Sequence, residues 1–406
     1  MSTKNAISFN DTATAFAYKS NKDLKKAEFL FSTMGNSLLV KLGLAVTPLA
    51  MRLKLPIQGL IRDTIFAQFV GGESLGETAN VADKLEQYGV KIILDYGVEG
   101  KEGEENFEHA CEEFIRVIHY AGTQRNMPFM SVKVTGIARF ALLEKLDAAA
   151  VEKRGYEGLV HTGSLTNEER EEWARVVNRL DRIVSTAKKH HVGVLIDAED
   201  SWIQDPVDAV VMQMMEKYNR DEFVVYNTAQ LYRHDRLEFL KKSYEEAVEK
   251  GFKLGMKLVR GAYMEKERDR AKKMNYPSPI QPDKESTDRD YNLAVKFCID
   301  NIDVIKVIIA SHNEYSNLYG TELLEEKGLP LDHSNVHFSQ LYGMSDNITF
   351  NLALAGCSVS KYLPFGPIND VIPYLMRRAQ ENSSVAGQTG KELALIRKEI
   401  KRRGIK

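Results

Sequence analysis

Cysteine is scarce: Cys111, Cys298 and Cys357 stand far apart in 406 residues. An odd, scattered set argues against a disulfide framework and a CxxC metal site, and fits a reducing compartment. A secretory leader is missing too, since the chain has no basic start followed by an apolar run and a small-residue cleavage site. No arginine occurs in the first 51 residues, unlike a transit peptide. The expected location is therefore the cytoplasm. Charge of one sign is not in excess, with 55 Lys and Arg against 57 Asp and Glu, a net charge of -2. No global field recruits nucleic acid. The most apolar early segment, SLLVKLGLAVTPLAM (37 to 51), contains Lys41 and Pro48 and is shorter than the roughly 20 residues a spanning helix needs, so it reads as a packed helix. There is no repeat of fixed period, no GxGxxG after the first strand and no GxxxxGK[ST]; a nucleotide cofactor would need a site of another kind.

What the chain has is a recurring alternation of short β-branched runs and charged, helix-like stretches. Nine runs read as strands: 67–73, 91–97, 129–136, 192–199, 223–230, 254–263, 305–313, 336–343 and 358–366. Nearly continuous apolar strands alternating with helices indicate a parallel sheet covered on both faces, and about eight units favour an α/β (βα)8 TIM-like barrel. Nine candidates for eight places leave one misread or outside the barrel. Lys133, Asp197, Glu199, Arg260, His312 and Gln340 fall at or just before strand C-terminal ends, where barrel enzymes build their sites. Residues 1–60 read as an N-terminal helical extension, 61–390 as the barrel and 391–406 as a basic tail. The tail carries seven basic and two acidic residues around Leu393, Leu395, Ile396 and Ile400. It is either a solvated terminal helix or an amphipathic contact with a membrane surface.

Near the C-terminus, Arg377 and Arg378 stand side by side on a helix that Asn369 or Asp370 can cap, with Pro373 expected in its first turn. Glu381 can reach either arginine but cannot neutralise both. Guanidinium groups bind carboxylate or phosphate bidentately, so a small anion is the natural partner of the leftover charge. Tyr374, one turn before Arg378, and Tyr362, at the end of the preceding strand, suggest a pocket for an apolar body with a charged tail. Lys133 facing Asp197 is open to two readings, a Schiff-base lysine or an ion pair that steadies an amine substrate. In KLVRGAYMEKER (257 to 268) the Arg-Gly-Ala step lets backbone approach a ligand. His190 with His191, and His333 with His337, lack acidic or cysteine companions, so no metal site is expected.

These residues together resemble the proline dehydrogenase family of flavoenzymes from about residue 65 to 385. The run YLMRRAQEN (374 to 382), with Tyr362 before it, is similar to the family signature, and SVK, IDAE, KLVRGAY, SHN and QLYGM occur in the family's order. The resemblance implies a distorted (βα)8 barrel that binds FAD and oxidises L-proline to Δ1-pyrroline-5-carboxylate, passing electrons to a membrane quinone. It implies that Arg377 and Arg378 grip the proline carboxylate, that Glu381 orients them, and that Ala262, Leu341, Tyr362 and Tyr374 wall the ring. Lys133 would pair with Asp197, while Asp197 and Lys257 would serve the catalytic centre. Ile196, Thr228, Gln230, Arg260, Gly261, Ala262, Ser311 and His312 match flavin-contacting positions. Lys257 replaces an arginine common in bacterial members, and Met264 stands where some relatives carry tryptophan, which puts adenine stacking there in doubt. No residues remain for an aldehyde dehydrogenase domain, so the expected form is monofunctional, with a separate pyrroline-5-carboxylate dehydrogenase and peripheral contact at the inner face of the membrane. Rival readings are a hydroxyproline dehydrogenase, against which Tyr362 speaks, a Schiff-base lyase using Lys133, and a carboxylate-binding barrel without catalysis.

Overall fold

The computed structural model describes residues 7–52, 58–97, 102–151, 162–384 and 388–405. Eight strands, β1 (Val90–Tyr96), β2 (Phe129–Val132), β3 (Gly193–Ile196), β4 (Val225–Gln230), β5 (Leu254–Val259), β6 (Ile305–Ala310), β7 (Val336–Leu341) and β8 (Val359–Phe365), follow one another around a closed barrel in chain order. Their near-complete burial is what a strand covered on both faces demands.

The ninth expected run, 67–73, is not a strand. Ala67–Phe69 is a helical turn, and only two backbone bonds, Gly71 N to Pro364 O and Gly366 N to Gly72 O, join the next residues to β8. Consecutive glycines leave no branched side chains to pack on a ladder, and a Cβ at Gly71 would stand 2.9 Å from the Leu363 side chain.

The chain forms two compact units, one of residues 1–99 with 340–406 and one of 100–339. In the first, the helix Asn21–Met34 starts at a capping box between Ser20 and Asp23. It buries Leu24, Ala27, Leu30, Phe31 and Met34, a helical stripe that shares a core with Leu395, Ile396 and Ile400 of the helix Gln388–Arg402. Arg403 extends this contact, donating to the carbonyls of Phe16 at 2.7 Å and Lys19 at 2.8 Å. The basic tail has therefore spent its apolar face on protein, and the membrane contact expected of it loses its physical basis. The helix Ser37–Arg52 forms as expected, yet Leu39, Leu42 and Val46 are 49%, 62% and 48% exposed, so it is packed on one side only. The helix Ile368–Ser384 begins earlier than the capping residues suggested, which leaves Pro373 in its second turn. Pro373 is exposed, so the carbonyl left without its N–H partner can turn to water.

In the second unit, a capping box between Thr166 and Glu169 starts the helix Asn167–His190, which packs on Glu104–Ala121. Beneath β4 lies a buried charge network. Arg236 donates to Asp208 at 2.5 Å and to Asp235 at 2.7 Å, while Asp208 also accepts from Gln204 at 2.9 Å and Asn227 at 3.1 Å. Burial alone would lower the pKa of Arg236, but the charges of Asp208 and Asp235 outweigh it and raise the value.

Candidate active site

Three strands of the second unit bring Lys133, Asp197 and Lys257 together. Lys133 directly follows β2, Asp197 follows β3, and Lys257 sits within β5, in register with Thr228 and Ile308. Asp197 is fixed by its own N–H, which donates to Val132 O at 2.9 Å. Its carboxylate takes a hydrogen bond from Lys257 on one oxygen and stands 3.9 Å from the Lys133 ammonium on the other. The group is half-sunk, with side-chain exposures of 15% for Lys133, 13% for Asp197 and 6% for Lys257. Beside it, the Thr135 hydroxyl donates to the Glu199 carboxylate at 2.8 Å.

Beyond β5 the backbone takes an unusual path. Gly261 has φ +81 and Tyr263 φ +55, and a bulky residue in the left-handed region is a marker of a functional loop. Nothing lies within 4 Å of where a Gly261 Cβ would stand. Arg260 holds Asp288 and the Ser316 hydroxyl, and its guanidinium lies 3.8 Å from the centre of the Tyr291 ring. Burial lowers its pKa, and its Nε is buried without a hydrogen-bond partner. Past β6, the Ser311 hydroxyl accepts from Asn313 N at 3.1 Å, and His312 is half-buried beside it.

A cation with one orphaned buried donor, an open backbone at glycine, and hydroxyl and imidazole groups on the next strand end suit a phosphorylated cofactor bound without a Gly-rich turn. Three other expected cofactor residues are engaged within the protein. Thr228 donates to Ile196 O at 2.6 Å, and Gln230 donates to Glu199 O at 2.7 Å and to the Tyr232 hydroxyl at 2.8 Å. Exposure is 0% for Ile196, 3% for Thr228 and 1% for Gln230.

In the first unit, Arg377 and Arg378 are half-buried on the Ile368–Ser384 helix. Arg378 lies 5.3 Å from the centre of the buried Tyr374 ring, which puts a guanidinium and an aromatic wall on one helical face. The side chain of Glu381 lies outside the described residues. Tyr362 on β8 and Leu341 at the end of β7 are half-buried, and Tyr362 O accepts from Tyr342 N at 2.9 Å. After β7 the chain turns at Gly343 (φ +80), where a Cβ would meet Gln68 O at 2.0 Å, so only glycine fits there.

One cluster escaped the sequence reading. Lys361, next to Tyr362, is wholly buried; it lies 2.9 Å from Asp346 and donates to Met344 O at 2.5 Å. Asp346 also accepts from the Tyr18 hydroxyl at 2.8 Å, and Glu392 accepts from Ser345 N at 2.7 Å. Burial, reinforced by the nearby Asp346 charge, pushes the Glu392 pKa up to about 7. A lysine on a strand that must be buried on both faces was the available signal.

A closed parallel barrel with ionisable clusters along its strands and a buried arginine Nε left without a partner has the make-up of a βα-barrel enzyme. The proline dehydrogenase family profile matches residues 78–391, and the chain belongs to that family. Mitochondrial proline dehydrogenase 1 of Dictyostelium discoideum is 33% identical, over 86% of this chain and 66% of its own length. The carbapenem antibiotics biosynthesis protein CarD of Pectobacterium carotovorum is 36% identical, over 85% of this chain and 86% of its own. Hydroxyproline dehydrogenase of Xenopus laevis is 32% identical, over 98% of this chain and 90% of its own. Among solved structures, proline utilization A of Bdellovibrio bacteriovorus, inactivated by N-propargylglycine, superposes with a TM-score of 0.69 at 20% identity. That alignment covers 96% of this chain but 40% of the larger protein, and it speaks for the barrel alone. Family membership removes the Schiff-base lyase and the non-catalytic barrel.

Proposed function

We propose that this chain oxidises L-proline to Δ1-pyrroline-5-carboxylate using FAD, and that a membrane quinone is the final electron acceptor. The observation that carries the reading is Arg378 against Tyr374 with Arg377 beside it, a cationic and aromatic face suited to an amino acid whose body is an apolar ring. Arg377 and Arg378 bind the substrate carboxylate, with Glu381 as their orienting partner. Ala262, Leu341, Tyr362 and Tyr374 are assigned to the ring because they match the family's ring-walling positions. When bound, FAD supplies the acceptor for the hydride leaving the ring carbon beside the nitrogen. Arg260, with its free Nε, and the Gly261 backbone are the first candidates to hold its pyrophosphate, with Ser311 and His312 alongside.

Hydride leaves a neutral amine more readily than an ammonium, and the ammonium groups of Lys133 and Lys257 on either side of Asp197 work in that direction by disfavouring another cation near them. Asp197 holds both lysines in place, so these residues act by electrostatics and positioning rather than through a covalent bond. The product, a cyclic imine that opens to an aldehyde in water, calls for a separate aldehyde-oxidising enzyme, a pyrroline-5-carboxylate dehydrogenase.

A hydroxyproline dehydrogenase is the second reading, favoured by relatives of that name. The Tyr362 hydroxyl is the feature that would crowd a hydroxylated ring. The test is the visible spectrum of the purified protein without oxygen, before and after adding each amino acid. Flavin bands that bleach with proline support the proposal; bands that bleach only with hydroxyproline transfer it to the second reading; a protein colourless after incubation with FAD overturns both.

A further inference from the structure

Five of the twelve large hydrophobic residues exposed among the described residues fall between positions 29 and 60: Phe29, Leu39, Leu42, Val46 and Leu60. That interval is under a tenth of the chain. Leu39, Leu42 and Val46 recur at helical spacing on the outer side of the Ser37–Arg52 helix, and Lys41 is exposed about 100° from Leu42 around the axis. The preceding helix has the same character. Its outer face sets Lys22, Lys25 and Lys26 around Phe29, which is 67% exposed, and its nearest acid, Glu28, is answered by Lys25 and Arg397 at 3.3 Å each.

From residue 37 to 62 the sequence has four basic residues, Lys41, Arg52, Lys54 and Arg62, and no acidic one, in a chain whose overall net charge is -2. An apolar face whose edge over 37 to 62 is cationic matches an anionic lipid surface, where leucines enter the acyl boundary and lysines reach the headgroups. A second copy of the chain fits it poorly, because a two-fold contact would set these cations against themselves. Spanning is excluded for this helix by length: 16 residues rise about 24 Å against the roughly 30 Å of a hydrocarbon core. No single helix among the described residues is long and apolar enough to cross a membrane.

We infer that the exposed faces of Asn21–Met34 and Ser37–Arg52 form an interfacial docking surface for an anionic membrane, with Phe29, Leu39, Leu42 and Val46 as the inserting residues and Lys22, Lys25, Lys26 and Lys41 as the headgroup contacts. The inference deepens the proposed function, since it supplies the surface from which electrons would reach a membrane quinone, and it rests on that reading for its purpose. It replaces the terminal basic helix as the membrane contact.

The experiment is flotation of the full chain with phosphatidylcholine vesicles that contain or lack phosphatidylglycerol, read beside proline-dependent reduction of a soluble dye. The chain should float with the anionic vesicles, and salt should weaken the association. Leu42→Glu with Val46→Glu, both at exposed positions, should lower the bound fraction about tenfold or more while leaving dye reduction unchanged. Lys22→Glu with Lys26→Glu should act the same way. Failure of the wild-type chain to float, or variants that float unchanged, overturns the docking surface. A wild-type dimer that the leucine variant converts to monomer assigns the face to self-association and also overturns it. Loss of proline-dependent dye reduction in the wild type would instead strike at the proposed reaction, and the vesicle result stands apart from it.

Discussion

Glu392 offers a test of how the terminal helix is tied to β7 and β8. Its carboxyl is 6% exposed, accepts from Ser345 N at 2.7 Å, and is held up at a pKa of about 7 against an ordinary 4.5, first by burial and then by the Asp346 charge. Between those two values the folded chain keeps a proton that the unfolded chain has lost, so stability falls as pH rises through that window. At about 1.4 kcal/mol for each pH unit, ionising Glu392 costs about 3 kcal/mol once the pH exceeds its folded pKa. Glu392→Gln keeps an oxygen for the Ser345 N–H and never ionises. The variant should match the parent at about pH 4 and exceed it by about 2 to 3 kcal/mol at about pH 8. Urea unfolding of both proteins at the two pH values measures this. An equal difference at both values, or a variant that is weaker at the higher pH, refutes the idea that a buried proton sits there.

Arg377→Met should raise the proline concentration needed for half-maximal rate by roughly 10- to 100-fold, the loss expected for one charged hydrogen bond, with flavin content unchanged; ordinary proline kinetics would end its assignment. Arg260→Ala should lower the flavin-to-protein absorbance ratio of the purified enzyme more than it changes the proline requirement of the fraction that retains flavin. Full flavin content would remove Arg260 from the cofactor site. Arg236→Met leaves the Asp208 carboxylate buried without its cation and should cost about 3 to 5 kcal/mol in thermal or urea unfolding. Adding Asp208→Asn should recover much of that loss, and a double variant no better than the single would show that the pair is not the unit of stability.

The alternation of apolar strands and charged helices, a local property, made the barrel legible in the sequence, and eight of the nine strand candidates are strands. The exception, 67–73, contains branched and aromatic residues, but ladder formation depends on partners that a pair of glycines cannot pack against. Residue chemistry marked the paired arginines, the Arg-Gly-Ala turn and the charged strand ends, because guanidinium, glycine and carboxylate carry their function in their own covalent structure. Tertiary packing decided the rest. It turned Thr228 and Gln230 inward to protein acceptors, joined Lys257 and Lys133 through one carboxylate, and raised the pKa of Glu392 by enclosing it. It also decided between two amphipathic helices that read alike: Gln388–Arg402 found a partner for its apolar face, and Ser37–Arg52 left Leu39, Leu42 and Val46 exposed. A sequence gives each helix its apolar stripe, but which stripe is covered depends on the arrangement of chain segments hundreds of residues apart.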